Sequence, residues 1–501
     1  MKKITSGLSL WTTLLLLCVF NSQAQVGIGT ATPDASSMLD VSSTTTGFLT
    51  PRMTTTERNA IVSPADGLIV YDVTLKSFFH YNTTTSTWVR ISSEVSGRLK
   101  FKRIKSTDAL ATVLAAEKTA GSNTKYLLDA NTYYEINGTI LVDLPIDLNN
   151  AYVVGLDANE DKLIRSNGSL FVGANGGSIR NVTISVTGGV ANLVFDLTGA
   201  NTQTLVFRDS VVAGCSNVGK IEGFGLVFLS VVQYVSNTTG VTYKDITRLL
   251  LSNTGWFGNN TGTFEKFTGS FSLIQKQGGF CEVNGTAIGV DVSDNPTILS
   301  DAVMEAVVFT GTVSSGLYVK GYSPAIYTGY SFNNRWNVRC AGIPTEVDAA
   351  ATGGLFKADS TTATITTATI QDFGYKVATS TTNSSNLFRF TATTGRLTYR
   401  GRKPRAFQAS ATVSFVETTS ASNANYVFYF VKVGTDGTTI TPLPETETFI
   451  DTGNGTGTVQ AFPISGTIVL AENESVEIYL KRINTGTKIN VRTYSLNLSL
   501  K

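Results

Sequence analysis

The chain has 501 residues, 42% of them hydrophobic and 15% charged, with 39 basic side chains against 37 acidic ones. That near balance leaves no cationic field to hold nucleic acid, and the charged share falls well under the ~25% usual for soluble domains. One histidine, His80, excludes His-based triads and His-rich metal centres, and the three cysteines expected to remain after the leader, an odd number, cannot all pair within one chain. What remains, rich in Gly, Thr, Ser and Asn, suits extended β structure in two to four domains.

Lys2 and Lys3 precede an apolar run from Leu8 to Phe20, and Ser22-Gln23-Ala24 follows as the small-x-small pattern of a signal peptidase site. The pattern predicts a signal peptide over 1–24, cleavage between Ala24 and Gln25, and export. The run is shorter than the ~20 residues a bilayer core needs, so no membrane anchor is expected in the mature chain. Leu16 and Leu17 before Cys18 speak against lipidation there. The mature chain then has 37 basic and 37 acidic residues and three cysteines, Cys215, Cys281 and Cys340, which read as buried free thiols.

Residues 25–95 read as a ribbon followed by a hairpin. "GLIVYDVTLKSFFHYNTTTSTWVRI" alternates apolar and polar residues in two runs split by Thr-rich turns, with Tyr71, Phe79, Tyr81 and Trp88 placed for cross-strand pairing and His80 a pairing residue beside Phe79. The ribbon before it has too few large apolar residues to fold alone, so it is expected to order against a partner or against copies of itself. "VGIGTATPDASSMLDVSSTTTGFLTPRMTTTERNAI" followed by "GLIVYD" resembles the N-terminal module of many secreted and surface proteins of Bacteroidota, and is similar to the "GIGTxxP" openings of tail-fibre-like proteins. The resemblance covers 26–92 and implies a surface or fibre setting without any chemistry.

Residues 96–343 open with a basic run, Arg98 to Lys105, interleaved with Leu99, Phe101 and Ile104, which reads as a strand with one solvated cationic face. A short capping helix is predicted over Ala109 to Lys118, with Thr107 as N-cap and Asp108 in its first turn. Short β-branched and aromatic runs follow, each closed by Gly or Asn: "YYEINGTILV", "SIRNVTISVTGG", "TLVFRDSVVAG", "DITRLLLSNTG", "AVMEAVVFTG". Their starts recur loosely every ~20 to 26 residues, the period of a solenoid in which each turn is completed by its neighbours. The fold expected is all-β: a right-handed parallel β-helix, with Asn-Gly and Asn-Asn corners in left-handed backbone. A β-sandwich, with strands at 8 to 12 residue spacing, is the competing reading.

Residues 344–402, rich in Thr, Ala and Ser, read as a linker or stalk. They end in a cationic cluster, Arg396, Arg400, Arg402, Lys403 and Arg405, which reads as a solvated collar rather than an anion site. Residues 403–501 alternate as strands with Gly and Asn turns, enough for a two-sheet antiparallel sandwich. Their order, with "LAENESVEIYLKRINTGTKINVRTYSLNLSL", resembles the jelly roll of C1q and tumour-necrosis-factor type, which implies a trimeric C-terminal head.

Glycosidases need two carboxylates a set distance apart. Asp143 and Asp147, Asp157, Glu160 and Asp161, and Asp291 and Asp294 all read first as turn chemistry. No C-x-x-C spacing and no Gly-rich loop opening a helix is present, so neither metal nor cofactor is expected. A lyase with a Tyr, Lys or Arg base needs no recognisable spacing. Two aromatic groups beside Asn and Gly form a candidate carbohydrate platform: Trp256 and Phe257, and Tyr318, Tyr322, Tyr327, Tyr330 and Trp336. The alternative is that these rings plug the solenoid. Ser210 in "RDSVV" and Ser360 in "ADSTT" match the pattern that Bacteroidota O-glycosylate. Together these features predict an exported, homotrimeric, tail-fibre-like surface protein for adhesion or structure, non-enzymatic, with a cell-surface glycan or another surface protein as partner. The alternative is a polysaccharide-binding or -degrading β-helix enzyme.

Overall fold

The computed structural model describes residues 25–91, 100–357, 364–367, 374–377, 381–418, 424–452, 457–484 and 489–501. The predicted signal segment 1–24, with Ala24, and Ser360 lie outside these. The chain divides into two units, 1–98 and 99–501.

In the first unit Val26–Ile28 pairs in parallel with Leu39–Val41, and Arg52–Met53, Ile69–Asp72, Ser77–Asn82 and Thr87–Arg90 form a four-stranded sheet. Tyr71 meets Phe78 and Tyr81 meets Trp88 edge-on across the hairpin. The helix Thr55–Asn59 starts with a capping box between Thr54 and Glu57. It delivers Arg58 onto the Phe79 ring at 3.9 Å and onto Asp72 at 3.2 Å. The small core is Val70 and Phe79, whereas Met38, Phe48, Leu49 and Val62 are each at least 65% exposed.

The second unit opens as a parallel β-solenoid of about eight turns. Each turn carries three strands. In one turn, for example, 204–208 lies on a first face, the backbone bends at Asp209, 210–213 lies on a second face, and Gly219–Glu222 forms a third. Residues stacked on the third face are Tyr126, Ile146, Phe171, Phe195, Gly219, Val241, Glu265, Val290 and Val319, so a turn takes 20 to 29 residues. The bend between the first two faces is left-handed in five successive turns, at Asp209, Val231, Asn253, Gly278 and Ala306. Gly and Asn take that conformation readily; Val231 holds it at a cost of roughly 1–2 kcal/mol. Another corner is tied by a buried ladder: Cys215 N donates to Asn237 Oδ1 (2.9 Å), Asn237 N to Asn260 Oδ1 (2.7 Å), and Asn260 Nδ2 to Tyr234 O (2.6 Å).

Side chains pointing inward make one continuous apolar core from Ile104 to Val338. The expected capping helix is two shorter ones, Leu110–Val113 and Ala115–Ala120, which bury Leu110 and Leu114 against the first turns. The predicted N-cap, Thr107, is corrected: the helix starts at Leu110, so Ala109, whose side chain has no hydrogen-bonding group, takes the N-cap position, and the Asp108 carboxylate accepts from Lys105 N. In the basic run Lys100, Lys102 and Arg103 pair with Asp129, Glu117 and Glu135. The three cysteines among the described residues are free, with Cys215 and Cys281 buried.

Antiparallel sheets follow. One joins Asn383–Phe388, Thr352–Lys357, Ile489–Leu500, Arg405–Glu417 and Gln460–Leu470; the other joins Phe390–Thr393, Arg396–Tyr399, Ser475–Arg482, Asn425–Val433 and Ile440–Pro442. A core of Phe390, Tyr399, Phe407, Phe415, Phe428 and Phe462 fills the space between them. The linker or stalk expected over 344–402 is therefore corrected. Thr352–Lys357 lies between two strands of the first sheet, and Phe390–Tyr399 is a hairpin at the edge of the second. Gly353 fits there because a Cβ would stand 2.8 Å from the Phe390 ring, so small residues mark close packing rather than a slack connection.

Inside the solenoid, Lys276 donates to Glu265 (3.0 Å) and to Thr254 Oγ1 (3.1 Å), with both charged side chains 1% exposed. Burial pushes the Glu265 carboxyl above its ordinary range while Lys276 pulls it back. Removing one partner of such a pair strands the other charge in a dry core. Lys276→Met is expected to destabilise the chain by about 3–5 kcal/mol, and Lys276→Met combined with Glu265→Leu to recover most of the loss. Denaturation midpoints of the single and double variants check this; equal losses in both would refute it.

Candidate functional site

The seven candidate platform aromatics do not come together. Trp256 and Trp336 are fully buried. Trp256 stacks on Phe264 at 4.6 Å, and Trp336 packs on Phe332 and Phe267 and donates its indole N–H to the Tyr322 hydroxyl. Tyr322 in turn donates to Pro296 O at 2.7 Å. With no ring face in solvent, these three close the solenoid core, which corrects the platform reading for them. Tyr318 is half-buried and donates to Gly311 O, and Phe257 is partly exposed, edge-on to Phe280.

Tyr327 and Tyr330 do meet, at the junction of the last solenoid turn and the sandwich. Tyr330 stacks on Phe388 at 4.0 Å, and Tyr327 approaches the same ring edge-on while donating to Asn334 Oδ1 at 3.0 Å. Both line a cleft of about 750 Å³ with Thr352, Ser384, Ser385, Asn386 and Thr391. Apart from the two tyrosines no titratable side chain among the described residues lines it, so it offers hydroxyls, amides and rings without a carboxylate, an imidazole or a cation. Ser384 to Asn386 and Thr391 were missed because they sit in the Thr/Ser-rich stretch read as a linker; the alternation around "NSSNLFRFTAT" is the signal that marks them as strands.

The junction itself is held by cations. Arg389 is 1% exposed and donates through Nη2 to Trp336 O (2.5 Å) and Glu346 O (3.0 Å), and through Nη1 to Asp348. Arg402 pairs with Asp301, Arg405 donates to Asp348 O at 2.9 Å, and Arg396 reaches Glu477 at 2.6 Å. The collar reading is thereby corrected for Arg396, Arg402 and Arg405, which are spent on carboxylates and carbonyls within reach; Arg400 donates to Thr391 and Asn473, and Lys403 is exposed.

The third face of the solenoid is the charged one. Its stacked column Val172, Asp196, Lys220, Thr242, Lys266, Asp291, Lys320 has five charges in seven places. Beside it a shallow groove of about 420 Å³ is lined by Thr198, Asn201, Ser270 and Ser272 together with Glu222 and Asp245 from successive turns. Lys244 lies 2.5 Å from Glu222 and 4.0 Å from Asp245. This pair was overlooked because its members are 23 residues apart; the turn length is the signal that would have found it.

Six of the carboxylates read as turn chemistry are engaged, and Glu160 is exposed. Asp161 accepts from Gly138 N, Leu156 N and Asp157 N, Asp157 from Asn159 N, and Asp291 from Ser293 N and Oγ. Asp143 accepts from the Tyr126 hydroxyl, Asp147 from Lys125, and Asp294 from Lys266. Ser210 is 2% exposed and its hydroxyl donates to Arg208 O, so it is inaccessible to a glycosyltransferase, which corrects that expectation. Among the described residues no group of three or more His, Cys, Asp or Glu forms a metal site, and no helix is long and apolar enough to cross a membrane.

Residues 27–107 match the family model described as "Phage tail like trimerisation region". No curated protein sequence matches the chain. Among solved structures, the tailspike protein of Acinetobacter baumannii phage AM24 overlays with a TM-score of 0.24 at 11% identity, covering 88% of this chain and 91% of that one. WceF of Pantoea stewartii, titled a glycan biofilm modifying enzyme with a tailspike-like parallel β-helix fold, gives 0.26 at 9%, covering 89% and 70%. The Eiger TNF of S. frugiperda gives 0.21 at 8%, covering 30% and 92%. At these TM-scores no residue is transferred from one chain to another.

At the junction, Glu346 accepts from Ser331 N (2.8 Å) and Phe332 N (2.9 Å), yet burial dominates and pushes its carboxyl up to about 6 from 4.5. Between pH 4.5 and 6 the folded chain keeps a proton that the unfolded chain has released, so this group's contribution to stability falls as pH rises through that window. Relative to Glu346→Gln, the native chain should lose about 1.5 kcal/mol from pH 4.5 to pH 6.5. Parallel melting profiles of the two proteins across that range would refute this.

Proposed function

We propose that the chain is an exported, non-enzymatic, tail-fibre-like structural protein that works as a homotrimer and contacts a glycan or another surface protein. The single observation that carries this reading is the match of residues 27–107 to a phage tail-like trimerisation region. The exposed Met38, Phe48, Leu49 and Val62 of the same segment agree with it, since three copies would bury apolar surface that one copy leaves wet. Export rests on the signal pattern ending at Ala24, and a Bacteroidota source on the ribbon resemblance. The cleft at Tyr330 suits a neutral, hydroxylated ligand such as a glycan, because stacking rings and uncharged hydrogen-bonding groups recognise sugars without ionic pairing. Ser360 remains the proposed acceptor for O-glycosylation.

A second reading, a glycan-degrading enzyme, is favoured by one observation: Glu222 and Asp245 flank one groove on adjacent turns. Their shared Lys244 makes a structural ion pair the simpler account. Cleavage of an acidic or neutral polysaccharide that Glu222→Gln abolishes would favour the enzyme; no cleavage across such a panel is expected.

Light scattering of the full chain should give the mass of three copies, and a chain without residues 27–98 should lose mass at the same concentration. A monomer in both cases would refute the reading.

A further inference from the structure

Once its strands are paired, the hairpin sheet of the first unit is apolar on both faces. "LIVYD" (68–72), "SFFHYN" (77–82) and "TWVRI" (87–91) set apolar residues side by side. That is the pattern of strands covered from two sides, whereas a sheet with one wet face sorts its residues into an apolar and a polar side. One side is covered within the chain. Val70 and Phe79 are buried on the side of the helix Thr55–Asn59, whose Arg58 lies on the Phe79 ring and pairs with Asp72.

By register the other side sets Ile69 and Val89 on either side of His80, Phe78 opposite Tyr71, and Ile91 beside Phe78, to whose carbonyl it donates. Ile69, Phe78, Val89 and Ile91 are 37 to 51% exposed, and Arg52 stands at the margin, over the Tyr71 ring. Folding of one chain does not call for three aliphatic side chains and a phenyl ring on a wet face, because Thr would hold the same strands without costing any core. Single exposed apolar residues are ordinary, but a contiguous group of them marks a contact.

We propose that this face is where copies of the chain meet, its occupant being the same sheet of further copies. The sheet, residues 52–90, falls wholly inside the segment 27–107 matched to a trimerisation region. The chain's own ribbon does not cover the face, since Met38, Phe48 and Leu49 are themselves at least 65% exposed. A glycan is the poorer occupant, because Ile69, Val89 and Ile91 offer neither ring faces nor hydrogen-bonding groups. The proposal rests on the trimeric reading above and adds which face is buried on assembly.

The test is cross-linking of the full chain carrying Cys18→Ser and Cys340→Ser, since Cys215 and Cys281 are buried. Val89→Cys on the proposed face and Thr56→Cys on the helix behind the sheet are each treated with a short bis-maleimide. A trimer by light scattering, linked chain to chain at Val89 and not at Thr56, is the expected result. A trimer linked as readily at Thr56, or at neither position, overturns the placement and leaves the trimer standing; a monomer overturns both. A second variant, Ile69→Thr with Val89→Thr, keeps β-branched side chains that suit a strand in water. It should retain the circular dichroism of the native chain and dissociate at a concentration at least tenfold higher. A trimer as tight as the native one in that variant also overturns the placement.

Discussion

No turn of the solenoid closes its own core. Each contributes three short strands whose backbone groups and inward side chains are satisfied only by the turns above and below, so stability propagates along the stack and the two ends become the places where special residues are needed. At the first end Leu110 and Leu114 lie over the opening turns. At the last, Trp336, Phe332 and Tyr322 fill the core, and Arg389 from the sandwich takes up backbone carbonyls that no further turn would claim. The same closure explains how Lys276 and Glu265 are kept dry: once both are enclosed, each is the other's ionic partner within the core.

Stacking also turns the surface into columns, and function on such a molecule is read along columns rather than at isolated positions. The third face pairs its charges from turn to turn, as Lys220 with Asp196 and Lys244 with Glu222. The acidic groups that suggest hydrolysis are mostly occupied as acceptors of backbone N–H groups or as partners of lysines. The cleft at Tyr330 is the opposite case, a place with rings and hydroxyls and no charge to balance.

The all-β class and the parallel stack were legible because strand runs end at Gly or Asn with a recurring period, and corners such as Asn137-Gly138 and Asn284-Gly285 do take left-handed backbone. Whether a ring points in or out was not legible from residue type: Trp256 and Phe257 are neighbours in sequence, and one is buried while the other is partly exposed. The Thr/Ser-rich stretch misled because low apolar content is also what a strand needs where sheets approach closely, as at Gly353 against Phe390. The cationic cluster near Arg402 looked solvated because its partners, Asp301 and Asp348, lie 101 and 54 residues away in sequence. Long-range pairing of this kind leaves no local pattern.

The most direct measurement is a cryo-electron microscopy average of the full chain viewed down the solenoid axis. Three solenoids around one axis is the predicted result. A single solenoid would contradict the account.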